Sequence, residues 1–258
     1  MPIRSEQSGA ISVAVIDRPE RRNALNEELC EELSAFVDQV RDRRALIIGG
    51  AGDKAFCAGA DLARRGSDVG GLEHGGGDTF RPAFDRLVDK IVAAPVPVIA
   101  AVNGAALGAG MQLAVACDLR VVAETATFGI PAGRLGVMLS AANIARLSSV
   151  VGQAMARDLL LTGRVLDVDA AHGVGLVQRR APDALAAARE LAHDLVELAP
   201  LSAAGHKRAL NLMADETHIT PAVRTELDDL ATTAFASEDL QEGLAAFAEK
   251  RTPRFYGR

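Results

Sequence analysis

Residues Ile91 to Cys117 contain no charged side chain, a run of 27 positions long enough to raise the question of a membrane span. Pro95, Pro97, Asn103, Gly104 and Gln112 answer it by dividing the run into a short strand, a turn and a short buried helix, each below spanning length. No membrane span is expected, so this block must be covered by the rest of the chain. The means are present: 258 residues at 49 % hydrophobic content and 24 % charge, where a domain of this size buries about three quarters of its unfolded surface. That excludes disorder for most of the chain. Lys and Arg number 28 against 34 Asp and Glu, a balance of −6 with no strong basic stretch to track a phosphate backbone, so nucleic acid is not an expected partner.

Cys30, Cys57 and Cys117 are odd in number and widely spaced, which fits neither a disulfide framework nor clustered zinc ligands. The N-terminal segment has no apolar stretch of secretory length. A reducing cytoplasm is the expected location. The five histidines (His74, His172, His193, His206, His218) show no metal-ligand spacing, and no metal is expected.

Strand-length β-branched runs occur at Ala10–Ile16, Ala45–Gly49, Val96–Val102 and Leu119–Ala123. A helical pattern over Asn26–Val40 puts Leu29, Leu33, Phe36, Val37 and Val40 on one face, with acids early, where the helix dipole favours them. This alternation predicts a largely parallel, buried sheet. From about Leu139 the chain lacks strand runs and reads as helices, including Pro182–Ala199, Ser202–Met213, Pro221–Ala236 and Leu240–Lys250. The organisation expected is an α/β core over residues 1–195 and a helical region over 196–258. Arg64–Thr79, rich in glycine, reads as a surface loop or lid.

Two local patterns fail for want of context. Gly50-Ala51-Gly52-Asp53-Lys54-Ala55 satisfies a permissive dinucleotide pattern, but Gly59 interrupts the helix that should follow. His74-Gly75-Gly76-Gly77 copies an oxyanion loop of lipases, yet no serine lies in a Gly-x-Ser-x-Gly elbow.

Ala55–Leu62 and Asn103–Leu113 are more informative together. Each places small residues at a strand-to-helix junction, where the first helix amides have no intrahelical acceptor and a ligand approaches the backbone closely. Two such ends aimed at one oxygen would polarise a carbonyl, an effect in which one lost donor costs ~10² to 10³ in rate. Glycines used only for tight turns and close packing are the other account.

These segments, with Asp17-Arg18-Pro19 and Arg22-Asn23-Ala24-Leu25-Asn26 before them and Cys117-Asp118-Leu119-Arg120, Phe128 and Pro131 after, resemble the crotonase family of enoyl-CoA hydratases and isomerases. The likeness runs to the closing Lys250-Arg251-Thr252-Pro253-Arg254-Phe255. It implies a spiral of ββα units with a C-terminal helical trimerisation region, assembled as a homo-trimer or a hexamer made of two trimers. It also implies a role in fatty-acid and lipid metabolism and a coenzyme A thioester as ligand, with no prosthetic group. By position, the N–H groups of Ala60 and Ala109 would hold the thioester oxygen; Ala109 replaces the usual glycine, which a main-chain donor permits. Arg22, Asn23, Ala24, Ala58, Ala60, Asp61 and Leu62 would line the adenine and pantetheine path, with Asp61 serving geometry more than ligand charge. Lys250 and Phe255 would meet the nucleotide of a neighbouring subunit, a solvated chain end being the competing account.

The two glutamates with which the family hydrates enoyl thioesters are missing at matching positions: one is Gln112, the other Ala132. Glutamine orients water but does not ionise, and alanine has no polar group. Ser140 stands where dienoyl isomerases carry an aspartate; its hydroxyl needs an activating neighbour, and the sequence shows none. Asp68, Glu73, His74 and Asp78 on the glycine-rich loop are alternative acids. Three readings follow: a non-hydratase acyl-CoA binder, favoured by the missing acids; a hydratase- or isomerase-type enzyme with a different acid or base; and a structural oligomer with a vestigial pocket.

Overall fold

A computed structural model describes residues 2–61, 79–198, 200–216, 221, 225, 229, 232, 235–251 and 253. The chain opens with an antiparallel pair, β1 (Ile3–Ser8) and β2 (Ile11–Ile16), followed by α1 (Glu27–Asp38). Asn26 starts that helix by accepting the Leu29 N–H at 3.0 Å, and Leu29, Leu33, Phe36 and Val37 form its buried face as expected.

From here a unit repeats. β3 (Ala45–Gly50) and β4 (Ala55–Cys57) lead to α2 (Phe80–Ala93), and β5 (Val98–Val102) and β6 (Ala105–Leu107) lead to α3 (Ala109–Ala116). β7 (Leu119–Val122) and β8 (Thr127–Gly129) pass through a 3-10 turn, Pro131–Leu135, into α4 (Ala141–Thr162), which breaks helical geometry at Gly152. In each unit the first strand joins one sheet and the second joins another. The six-stranded sheet runs β1-β2-β3-β5-β7-β10 and the four-stranded sheet β4-β6-β8-β9, where β9 is Val165–Leu166 and β10 is Arg179–Arg180. This is the spiral of ββα units that the sequence implied. Helices α5 (Val168–Gly173), α6 (Ala184–Val196), α7 (Pro200–Glu216) and α8 (Glu238–Glu249) complete it.

The large sheet is parallel from β2 onward, and β2 and β5 are buried at every residue, as expected for strands covered on both faces. Leu46, Ile48, Val98 and Ala100 face the main core, while Ile47, Ile99 and Ala101 pack on Ala188, Leu191 and Ala192 of α6. The charge-free run resolves into β5, a turn, β6 and α3. Two buried cations fasten these layers. Lys207 of α7 donates to the carbonyls of Ile91 (3.1 Å) and Val96 (3.0 Å) and to Asp118 Oδ2 (2.8 Å). Arg120 donates to the carbonyls of Leu176, Ala114 and Cys117, and burial lowers its affinity for its proton.

The structure corrects several expectations. β1 was not anticipated, because only Ile3 of its six residues is buried and it shows no alternation. β4, β6 and β8 have three residues each, too few for a periodic signal. The region after Leu139 does contain strands, the two-residue β9 and β10, recruited by pairing with β8 and β7. Leu62 to Asp78, which holds most of the expected lid, lies outside the described residues, as do Phe255 and most of Pro221–Ala236.

Candidate functional site

β4, β6 and β8 are adjacent and parallel, so their C-terminal ends open on one edge of the small sheet, about 4.8 Å from one neighbour to the next. Ala60 follows β4, Ala109 follows β6 and Ala132 follows β8. Three positions singled out in the sequence thus meet at the edge where open parallel sheets take ligands.

The segments that carry the first two pack backbone to backbone, Gly59 against Gly108 and Ala109. Gly108 N–H donates to the Gly129 carbonyl at 2.8 Å, which ties the start of α3 to the end of β8. A Cβ built on Gly59 would lie 3.1 Å from the Leu107 carbonyl oxygen and 3.8 Å from Ala109 N. A Cβ on Gly110 would fall 1.9 Å from the Cys57 carbonyl oxygen, so only glycine lets α3 rest on β4 this closely. Leu25 N–H donates to Gly59 O and Asp61 N–H to Leu25 O, a bridge that leaves the intervening Ala60 N–H unused. The Ala109 N–H is likewise unused, at the first position of α3. Neither amide has an acceptor among the described residues. The structure therefore brings together, on touching segments, two N–H groups without an acceptor among the described residues, with the positive end of α3's dipole behind one of them.

The surroundings of Ala60 are braced by charge. Arg18 donates to Asp61 Oδ2 (3.0 Å) and to the Ala24 carbonyl (2.9 Å), and the Asp61 side chain is only 8 % exposed. The Asp61 carboxylate is thus held by Arg18, a residue the sequence offers only as part of a motif. Asn23 is fully buried: its Nδ2 donates to the carbonyls of Ala51 (2.9 Å) and Ala55 (2.6 Å), and its Oδ1 accepts from Arg18 N (3.0 Å). Its polar atoms are committed within the protein. Arg22 and Asn23 both have positive φ, and the Arg22 carbonyl accepts from Ala58 N at 3.0 Å. Beside Arg22 the surface opens into a cleft of about 340 Å³ that also presents Lys54, Glu20 and Asp53. Lys54, which sequence reasoning did not single out, sits in the Gly50–Ala55 turn, and that turn leads into a strand rather than the helix of a dinucleotide site. Lys250 is exposed at the C-cap of α8.

At the two glutamate positions, Gln112 is half-buried with Nε2 donating to the Gly108 carbonyl (3.3 Å), and Ala132 packs partly buried against the core. Ser140, expected to lack a neighbour, has one. Its Oγ donates to Asp85 Oδ1 at 3.1 Å, and Asn143 Nδ2 donates to the same oxygen at 2.9 Å. Burial pushes the Asp85 carboxyl above its ordinary range, opposed by Ser140, Arg81 and Asn143. The two residues are 55 positions apart, and no local pattern links them. The three thiols are not reactive candidates: all are buried, and desolvation holds Cys57 and Cys117 at about 12. Among the described residues there is no group of three or more potential metal ligands, and no helix long and apolar enough to cross a membrane.

A family model described as enoyl-CoA hydratase/isomerase matches residues 6–258. The probable enoyl-CoA hydratase echA6 of Mycobacterium tuberculosis is 39 % identical over 257 residues, covering 97 % of this chain and 98 % of that one. The crotonyl-CoA hydratase of Syntrophomonas wolfei is 36 % identical over 255 residues, covering 97 % and 96 %. Among solved structures, an enoyl-CoA hydratase/isomerase from Pseudoalteromonas atlantica superposes with a TM-score of 0.84 at 30 % identity, covering 99 % of this chain and all of the other.

Proposed function

This chain belongs to the enoyl-CoA hydratase/isomerase family, and on that premise we propose that it binds acyl-CoA thioesters through the Ala60 and Ala109 amides without hydrating them. The observation that carries the proposal is the pair of N–H groups on touching strand ends that have no acceptor among the described residues, flanked by an amide at 112 turned back on its own helix and a methyl at 132. Two main-chain donors polarise a thioester carbonyl and hold it. Adding water to an enoyl chain further requires a base to activate the water and an acid to supply the α proton. Each such group is worth ~10² to 10⁴ in rate. The CoA arm would run past Ala24, Ala58 and Asp61, with Arg22 and Lys54 supplying cations for its phosphates; Lys250 would serve a neighbouring subunit's nucleotide.

Isothermal titration with an acyl-CoA and a crotonyl-CoA hydration assay test this together. The expected result is saturable binding with hydration at least about a thousandfold below a two-glutamate relative. Hydration within about tenfold of such a relative overturns it, as does turnover of any enoyl- or acyl-CoA that Ser140→Ala abolishes. Absence of all thioester binding would leave the vestigial-pocket reading.

Self-association as a trimer or hexamer belongs to the same proposal. Leu201 and Leu210 of α7 are 88 % and 65 % exposed, and Leu161 at the end of α4 is 81 % exposed, large apolar side chains that a second copy would cover. Light scattering should return the mass of three or six chains; a monomer at micromolar concentration would refute it.

A further inference from the structure

Arg18 and Asp61 form a nearly enclosed ion pair directly beside one of the two amides. Their side chains are 19 % and 8 % exposed, with Nη2 3.0 Å from Oδ2. Asp61 follows Ala60 in the chain, so covalent geometry alone keeps its carboxylate within roughly 8 Å of the Ala60 nitrogen in any rotamer. The main chain around Ala60 is already fixed by other bonds. Ala58 N–H donates to the Arg22 carbonyl (3.0 Å), Leu25 N–H to the Gly59 carbonyl (2.8 Å) and Asp61 N–H to the Leu25 carbonyl (2.7 Å). These three bonds use no side chain and pin the segment on both sides of residue 60. What the ion pair adds beyond them is the cancellation of a charge.

Arg18 is held where it can do this. Its N–H donates to Asn23 Oδ1 (3.0 Å) and its Nη1 to the Ala24 carbonyl (2.9 Å), and the fully buried Asn23 is in turn anchored on the Ala51 and Ala55 carbonyls. Arg22 and Asn23 stand at φ 51° and 56°, a left-handed conformation that residues other than glycine keep only where surrounding bonds impose it. The charge matters because a carbonyl oxygen gripped by two N–H groups grows more negative as it is polarised. A bare carboxylate close by, poorly screened because it is nearly buried, opposes that polarisation. A guanidinium on the carboxylate turns a full charge into a dipole, whose field falls off faster. We propose that Arg18 sustains the Ala60–Ala109 clamp by neutralising Asp61, so that the clamp meets its oxygen free of an opposing negative field. The proposal rests on the reading of those two amides as the thioester clamp. Arg18 is a positioning residue in this role, since it acts on the oxygen only through Asp61.

The test is isothermal titration of the full chain with butyryl-CoA and with S-butyl-CoA, the thioether that keeps the CoA arm and the alkyl chain but lacks the carbonyl oxygen. The ratio of the two affinities within each variant reads the carbonyl contact alone, so a general loss of binding cancels. The unmodified chain should bind butyryl-CoA about tenfold more tightly than the thioether, equivalent to about 1.4 kcal/mol. Arg18→Gln leaves the carboxylate uncancelled and should cut this ratio at least about threefold, whereas Asp61→Asn leaves the guanidinium uncancelled and should raise it by about as much. The infrared carbonyl stretch of bound butyryl-CoA, isotope-labelled at that carbon, should shift from its solution value least in Arg18→Gln and most in Asp61→Asn. A pair that served only to hold the fold would lower the ratio, or leave it alone, in both variants. A ratio that Asp61→Asn lowers or leaves unchanged therefore overturns the proposal, and does so even where Arg18→Gln yields no folded protein; a folded Arg18→Gln with an unchanged ratio overturns it as well. Equal binding of thioester and thioether by the unmodified chain, or binding of neither, overturns the clamp instead.

Discussion

The paired amides and the Asp85–Ser140 cluster are built from different materials. The first is main chain throughout: two N–H groups placed by the packing of α3 on β4 and by bridges to Leu25 and Gly129. Substitutions that keep the backbone path keep the donors, so an alanine at 109 presents the same N–H as a glycine would. The second consists of side chains from two helices, and its geometry depends on each of them. A backbone site therefore tolerates drift in sequence while its chemistry persists, whereas a side-chain site changes what it recognises with one substitution. On the reading proposed above, the main-chain donors at 60 and 109 are the part of the site that sequence drift would leave in place.

The contrast breaks most decisively at Gly110. A methyl there would sit 1.9 Å from a backbone oxygen that has nowhere to retreat, so Gly110→Ala should force α3 off β4. We expect loss of soluble folded protein or destabilisation above about 3 kcal/mol by urea unfolding, beyond the usual ~1–3 kcal/mol for overpacking. A folded Gly110→Ala with unchanged acyl-CoA affinity would show that the amide pair does not depend on this contact. Next in size is the reverse experiment. Gln112→Glu with Ala132→Glu places two carboxyl groups beside the proposed clamp, and crotonyl-CoA hydration should rise by at least about 10²-fold. No gain, with binding preserved, would mean that the ends of β6 and β8 are not aligned on the reacting carbons.

A smaller effect is expected at Arg18, where a side chain braces the main-chain site. Arg18→Leu leaves Asp61 nearly buried without its partner and strips a donor from the Ala24 carbonyl. Breaking fully buried pairs costs ~3–5 kcal/mol; because Arg18 retains some solvent contact, about 2–3 kcal/mol is expected here. Butyryl-CoA affinity should fall with it, since Asp61 adjoins Ala60. Unchanged stability would show that the pair does not brace the fold.

How much of this was legible in the sequence follows the same division. The buried parallel strands, α1 with its apolar stripe, and the glycine- and alanine-rich strand ends were all readable, because apolar periodicity and small residues at junctions are local signals. The small sheet that places the site was not: its strands are three residues long, and their pairing is set by the larger sheet and the helices around them. Family resemblance points to Ala60 and Ala109, and the structure adds that their segments touch and that neither amide has an acceptor among the described residues. Arg18–Asp61 and Ser140–Asp85 join residues 43 and 55 positions apart, beyond any spacing rule.

The mildest effect is expected at Asp85, and its sign shows whether the partly buried charge costs or adds stability. Burial raises its carboxyl above the ordinary 3.8, so the folded state holds the proton more tightly than the unfolded chain. The fold is accordingly favoured below the unfolded value and loses that advantage as pH rises through the window up to the raised folded value, remaining without it at neutral pH. Asp85→Asn removes the charge while retaining a side chain able to bond Ser140 and Asn143. Its melting temperature at pH 7 should equal that of the unmodified protein or exceed it by up to about 2–4 °C, the shift of roughly 1 kcal/mol in a chain of this size, with the difference shrinking toward pH 4. A clear loss of stability at neutral pH would place Asp85 among the structural pairs, alongside Asp61 and Asp118.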